Sequence, residues 1–218
     1  MVAENVHRIL NSIPPHVMVL AAAKTRSVSE VLEAHQAGIT HFGHNYVQEA
    51  SAMIPAVNAD LQWHMIGHLQ RNKTKLALTL FDRIDSLDSI HLADEIEKQA
   101  ASLDKKMPVM IEVNIGEEDA KTGIDPENAR LLAAHINTLS HLHLIGLMTM
   151  GPRFGDPEDS RVYFKRTRQI YEDIGALHLP GVDLQVLSMG MSNDYLIAVQ
   201  EGANLVRLGT AIFGERKG

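Results

Sequence analysis

The pattern that most constrains this chain is an alternation. Short apolar runs are followed, again and again, by longer segments whose apolar residues recur at helical spacing. The runs are VMVLAAA (17–23), ITHF (39–42), LQWHMI (61–66), FDRIDS (81–86), MPVMIEVNI (107–115), LHLIGLM (142–148), VDLQVLS (182–188) and ANLVRLG (203–209). Helical signals lie at 27–38, 45–57, 71–80, 87–103, 126–139, 158–177 and 193–201, so every strand signal but the last is followed by a helix. Strands separated by helices pair in parallel through right-handed crossovers. Eight such units predict a closed (β/α)8 TIM barrel of the α/β class. An open doubly wound sheet is the alternative, and the lack of a G-x-G-x-x-G after the first strand argues against it. With 218 residues the chain is short for a barrel, so residues 1–218 are expected to form a single domain.

Composition removes several functions. The formal charge of -7 disfavours a nucleic-acid or anionic-membrane partner, although it still permits a local basic pocket. Without cysteine there is no thiolate nucleophile, disulfide or Cys-ligated metal, which fits a reducing compartment. Glu4 and Pro14-Pro15 spoil the first apolar run as a signal peptide, and no stretch approaches the roughly 18 apolar residues of a membrane span. The expected location is the cytoplasm.

In a barrel enzyme the functional face is built from the carboxyl ends of the strands and the loops after them. Here those positions carry Lys24, His44 and Asn45, His64 and Gly67, Asn114, Thr149, then LSMGMSND (187–194) and VRLGTAIFG (206–214). The last two segments bring small residues, hydroxyls and free backbone N–H groups to the loops after strands seven and eight, the recurrent phosphate site of this fold. Taken singly, either loop reads as an ordinary helix cap. Both together point to a phosphate. Lys24 ends an apolar strand, where desolvation makes an amine nucleophilic toward an aldehyde. An aldehyde opposite a phosphate describes pyridoxal 5'-phosphate or a phosphorylated sugar.

Seven blocks, AAAKT, FGHNYVQEA, WHMIGHLQRNK, VNIGEEDAKTGI, GLMTMGP, LSMGMSNDY and VRLGTAIFGER, run in order from residue 21 to residue 216. In these the chain resembles the YggS/PROSC family, the pyridoxal phosphate homeostasis proteins. The resemblance implies a fold type III barrel, like the barrel half of alanine racemase, with pyridoxal 5'-phosphate held as a Schiff base on Lys24. It implies phosphate contacts from Ser188, Met191 (through its backbone N–H) and Ser192 in the seventh loop, and from Gly209 and Thr210 in the eighth. Arg207 is the implied neighbour of the pyridine nitrogen, and Asn45 and His64 are implied on the cofactor face. The chain departs from the family at His44, where glutamate is usual.

An arginine beside the pyridine nitrogen favours its unprotonated form, so aminotransferase chemistry is not expected. Racemases of this class add a tyrosine from another domain and subunit, which this chain is expected to lack. The resemblance therefore implies a monomeric binding protein for intracellular cofactor homeostasis or delivery to apo-enzymes, without catalytic turnover. The alternative is an amino-acid racemase whose acid/base hides among His44, Tyr46 and His64. A class I aldolase using Lys24 is a more distant third reading. Twelve histidines invite a metal, but none shows ligand spacing, and none is expected. Glu117-Glu118-Asp119 reads as a solvated run, and Lys121 behind it as its ion-pair partner or as a second lysine for the ligand.

Overall fold

The computed structural model describes residues 1–116, 122–151 and 155–215. Its strands are β1 (Met18–Ala22), β2 (His41–His44), β3 (Gln62–Met65), β4 (Arg83–Leu87), β5 (Met107–Val113), β6 (Leu142–Thr149), β7 (Val182–Ser188) and β8 (Leu205–Leu208). They pair in parallel in sequence order, and β8 returns to β1, with Leu20 opposite Arg207, so the sheet closes into a barrel. Seven helices follow β1 to β7: α2 (Val28–Gln36), α3 (Val47–Met53), α4 (Thr74–Leu80), α5 (Ile90–Ser102), α6 (Ala129–Ile136), α7 (Arg161–Gly175) and α8 (Tyr195–Gln200). Local chemistry starts them where the sequence indicates. Ser27 and Glu30, for example, form a reciprocal capping box at the head of α2.

Two elements differ from the sequence reading. β8 is followed by α9 (Thr210–Phe213), a single turn, and a helix α1 (Val2–Ser12) precedes β1. α1 packs against both α9 and α2, burying Val2, Val6 and Ile9, and Asn5 Nδ2 donates to Ile212 O at 3.0 Å. The first helix thus covers the flank that a one-turn α9 leaves open. The spacing of those three apolar residues, i, i+4 and i+7, is the signal that reveals it.

Side chains alternate between the two faces of each strand. Phe42, Trp63, Ile84, Ile111 and Leu208 pack outward among the helices, while Leu20, Ile66, Met110, Met148, Val186 and Leu205 fill the barrel. The interior also holds a buried polar chain. His64 Nε2 lies 3.0 Å from His41 Nδ1, and its Nδ1 lies 3.0 Å from Asp85 Oδ2 and 2.9 Å from Arg83 Nη2. Arg83 Nε donates to Asp85 Oδ1 at 2.6 Å. Burial would raise the Asp85 carboxyl, yet Arg83 and His64 hold it below the usual carboxylate range.

His41 feels the opposite balance: burial first, then His64 and Arg83, lower it from 6.5 to about 4. A group depressed on folding takes up a proton more readily in the unfolded chain. Stability is therefore full above pH 6.5 and falls as the pH drops toward 4. His41→Gln is expected to shrink the loss of urea resistance between pH 7 and pH 5. Asp85 titrates too low to contribute in that window. An equal acid loss in the variant would assign the sensitivity elsewhere.

Candidate functional site

A cavity of about 900 Å³ opens where the strands end, and residues from both sides of the barrel closure line it. From the β1 side come Ala22 and Lys24, from β2 Asn45 and Tyr46, and from the end of β3 Ile66, Gly67 and His68. The opposite wall is made by Met191, Ser192, Arg207, Gly209 and Thr210. Seven of the nine residues expected from the sequence, Lys24, Asn45, Met191, Ser192, Arg207, Gly209 and Thr210, thus face one space.

The Lys24 turn is rigidly framed. Ala23 N donates to Gly43 O at 2.9 Å, and Thr25 takes a left-handed φ of 62°, an uncommon conformation for a β-branched residue. Arg26 then reaches α9, donating from Nη2 to Gly214 O at 2.8 Å and lying over the Phe213 ring. The half-buried lysine is carried between two anchored neighbours.

The seventh loop is arranged by a residue that the sequence reading passed over. Asp194, buried, accepts from Met191 N at 2.7 Å through Oδ1 and from Ser160 Oγ at 2.8 Å through Oδ2. The Met191 N–H expected to meet phosphate is therefore committed to Asp194. Ser192 Oγ in turn accepts from Gly209 N at 3.3 Å and Ala211 N at 3.1 Å, so one hydroxyl joins the seventh and eighth loops.

Ser188 lies deeper than the other loop residues. Fully buried, it is not among the cavity-lining residues, and it acts instead on Arg207. Arg207 Nη1 donates to Ser188 Oγ at 2.6 Å and Ser188 O at 3.0 Å, while Nη2 donates to Thr149 O at 2.7 Å. This fixes the guanidinium plane at the cavity floor. Burial lowers the Arg207 pKa from its ordinary value, against the opposing pull of Glu112 and Asp85. Glu112 was likewise missed. It is buried, its Oε1 accepts from Thr122 Oγ1 at 2.8 Å, its Oε2 has no hydrogen-bond partner among the described residues, and burial raises its carboxyl despite Thr122 and Arg207.

The two histidines in question leave the site. His64 precedes Ile66 by two on the same strand face, one side-chain layer deeper, and both ring nitrogens are engaged with the interior chain. His44 points outward, stacked on Trp63 at 5.7 Å between centroids, buried, with neither ring nitrogen hydrogen-bonded; burial lowers its pKa. Lys121 and the 117–119 acidic run lie outside the described residues. Among the described residues no group of three or more His, Asp or Glu is placed to hold a metal ion, and no helix is long and apolar enough to cross a membrane.

Comparison with known proteins identifies the family and the fold. The family described as "Alanine racemase, N-terminal domain" matches residues 1–217. A pyridoxal phosphate homeostasis protein of Aquifex aeolicus is 41% identical over 200 residues, covering 91% of this chain and 87% of the relative. PipY of Synechococcus elongatus PCC7942, solved with PLP bound, superposes with a TM-score of 0.90 at 32% identity, over 98% of this chain and all of that one. An alanine racemase of Clostridium difficile 630 shares the fold alone: TM-score 0.83 and 14% identity, over this whole chain and 56% of that one. On the shared barrel and the near full-length identity, the chain belongs to the pyridoxal phosphate homeostasis protein family.

Proposed function

We propose that this protein binds pyridoxal 5'-phosphate reversibly through Lys24 and serves in cofactor homeostasis or delivery, without catalytic turnover. The observation that carries the reading is the convergence of the Lys24 amine, the Arg207 guanidinium and the bridged Ser192–Gly209 loops on one cavity. When bound, the cofactor supplies an aldehyde that condenses with an amine, releasing water, and a phosphate dianion that anchors it. The PLP-bound state of PipY and the name carried by the relatives support the same assignment.

The residues present fit that group. Lys24 provides the amine and Arg207 the donor toward the ring. The Ser192 and Thr210 hydroxyls line the cavity where the seventh and eighth loops are joined, and there they offer donors to an anion. Gly209 is the sharpest indication. Its φ is -111°, open to any residue, and a Cβ there would meet only Ala22 Cβ at 3.7 Å. Folding does not require a glycine here, which supports a role in letting a ligand approach the backbone. Gly209→Val is thus expected to keep its melting temperature within about 2 °C while weakening cofactor binding at least roughly tenfold, about 1.4 kcal/mol. A variant that binds as wild type does would remove Gly209 from the cradle.

Adding pyridoxal phosphate to the purified protein should produce a visible absorption band, and borohydride should fix the cofactor on the peptide containing Lys24. Failure of both would overturn the assignment. Of the acid/base candidates of the racemase reading, His44 faces outward and His64 lies below the floor, so that reading now rests on Tyr46, which lines the cavity. Incubation with amino acids in deuterated water is expected to give no α-exchange at turnover rates. The reading extends to a monomeric, cytoplasmic, single-domain carrier over residues 1–218 that hands cofactor to apo-enzymes. Sedimentation of the loaded protein and transfer to an apo-enzyme test those parts.

A further inference from the structure

A carrier must make and break its link to Lys24 quickly, and both directions need protons moved. Five ionisable side chains line the cavity among the described residues: Lys24, Tyr46, His68, Lys73 and Arg207. Lys24 is itself the reacting group, and arginine does not give up a proton in proteins. Among these residue types only histidine, when unperturbed, changes charge between about pH 5 and 8.

His68 is also unusually well placed for a residue on a loop. Its Nδ1 lies 3.0 Å from Asp88 Oδ2, which leaves Nε2 as the nitrogen open to a reactant. Asp88 is held from its other oxygen by Ser89 Oγ at 3.1 Å, and the same Ser89 hydroxyl caps α5 by accepting from Leu92 N. The backbone that carries His68 is equally fixed. Ser86 Oγ donates to Gly67 O at 2.6 Å, and Gly67 packs so tightly on the β2 exit that a Cβ would come within 2.4 Å of Asn45 O. A histidine oriented by a carboxylate, which is oriented in turn by a helix cap, has the form of a preorganised acid–base pair. The His68 side chain is exposed toward the cavity mouth while Asp88 is mostly covered, so the support acts through the carboxylate.

We propose that His68, with Asp88 as its positioning residue, carries the proton when the bond between Lys24 and the bound carbonyl carbon forms or is hydrolysed. The inference rests on Lys24 being the point of attachment. In release, water adds its oxygen to the carbon doubly bonded to Lys24 Nζ, and His68 Nε2 takes one water proton. His68 returns that proton to Nζ, and only then does the carbon–nitrogen bond break with its electron pair passing to Nζ. The second water proton leaves the new hydroxyl and ends on Nζ also, and the products are a carbonyl and an amine. Loading is the reverse. The charged groups facing His68 are Asp88 from the β4–α5 turn, Glu112 from β5 beneath the floor, and Lys24, Lys73 and Arg207 around the same cavity.

An acid–base group speeds both directions and leaves the equilibrium alone, whereas a binding contact alters affinity. Stopped-flow loading of apo-protein with pyridoxal phosphate, and release to a trapping agent, separate the two. In His68→Ala both rates should fall about tenfold or more with Kd unchanged, and added imidazole should restore them. Asp88→Asn should give a smaller loss of the same kind. Unchanged rates, or a Kd that rises with the release rate while loading stays constant, would overturn the proposal. Absence of the visible band in wild-type protein would instead remove the Lys24 reading on which it stands.

Discussion

Lys24→Ala is expected to yield a folded barrel that gains no visible absorption band with pyridoxal phosphate and binds it roughly a hundredfold more weakly, a loss of about 2.8 kcal/mol. The side chain is half-buried at a strand exit, so its removal opens no hole in the core. The covalent link disappears, but the donors of Ser192, Thr210 and Arg207 remain, so weak binding should persist. Ser192→Ala should do the converse, lowering affinity while keeping the band. Absorption titration and equilibrium dialysis, run on both variants, give the two readouts. A band that survives in Lys24→Ala would assign the amine to another lysine, and borohydride trapping with peptide mapping would identify it.

Arg207→Met should produce the largest loss of stability. Its side chain satisfies Ser188 O, Ser188 Oγ and Thr149 O, all in the interior, and it is the cation nearest in effect to the buried Glu112. Removing one member of a buried charged set costs about 3–5 kcal/mol, because the partners keep their desolvation without their donor. A typical domain holds about 5–15 kcal/mol in all, so the variant should melt far below wild type. Glu112→Gln tests the coupling. Because burial raises the Glu112 carboxyl in the folded state, wild type loses stability as the pH climbs above the ordinary carboxylate range, and the glutamine variant does not. The double variant should therefore lose less than the sum of the single changes. Additive urea-unfolding energies would show that the two groups do not interact.

The barrel was legible because β/α alternation is a long-range pattern that survives small errors of boundary. VDLQVLS matches β7 residue for residue, and the expected helices 71–80, 126–139 and 158–177 differ mainly by opening as single 3-10 turns. The facing of individual residues was far less legible. β2 has only four residues, HFGH, with a histidine on each face, so no apolar period tells which one turns inward. His41 goes in and His44 goes out. The destination of a backbone donor is equally invisible: nothing in SMGMSND states that Asp194 accepts from Met191 N rather than leaving it for a ligand. Glu112 did leave a signal, being the one charged residue in the fifth apolar run. A lone carboxylate in a strand buried on both faces needs a partner, and Thr122 and Arg207 are where its partners lie.

The lid that α1 places over the β8 flank has a consequence for how the protein is made. Asn5 and Ile212 are 207 positions apart, and the bond between them joins the first helix to the last. On the ribosome α1 is made well before α9, and its seat is incomplete until Ile212 has been synthesised. At about 5–20 residues per second that interval lasts on the order of ten seconds or more. Vectorial synthesis thus leaves the apolar face formed by Val2, Val6 and Ile9 without its α9 partner for that interval.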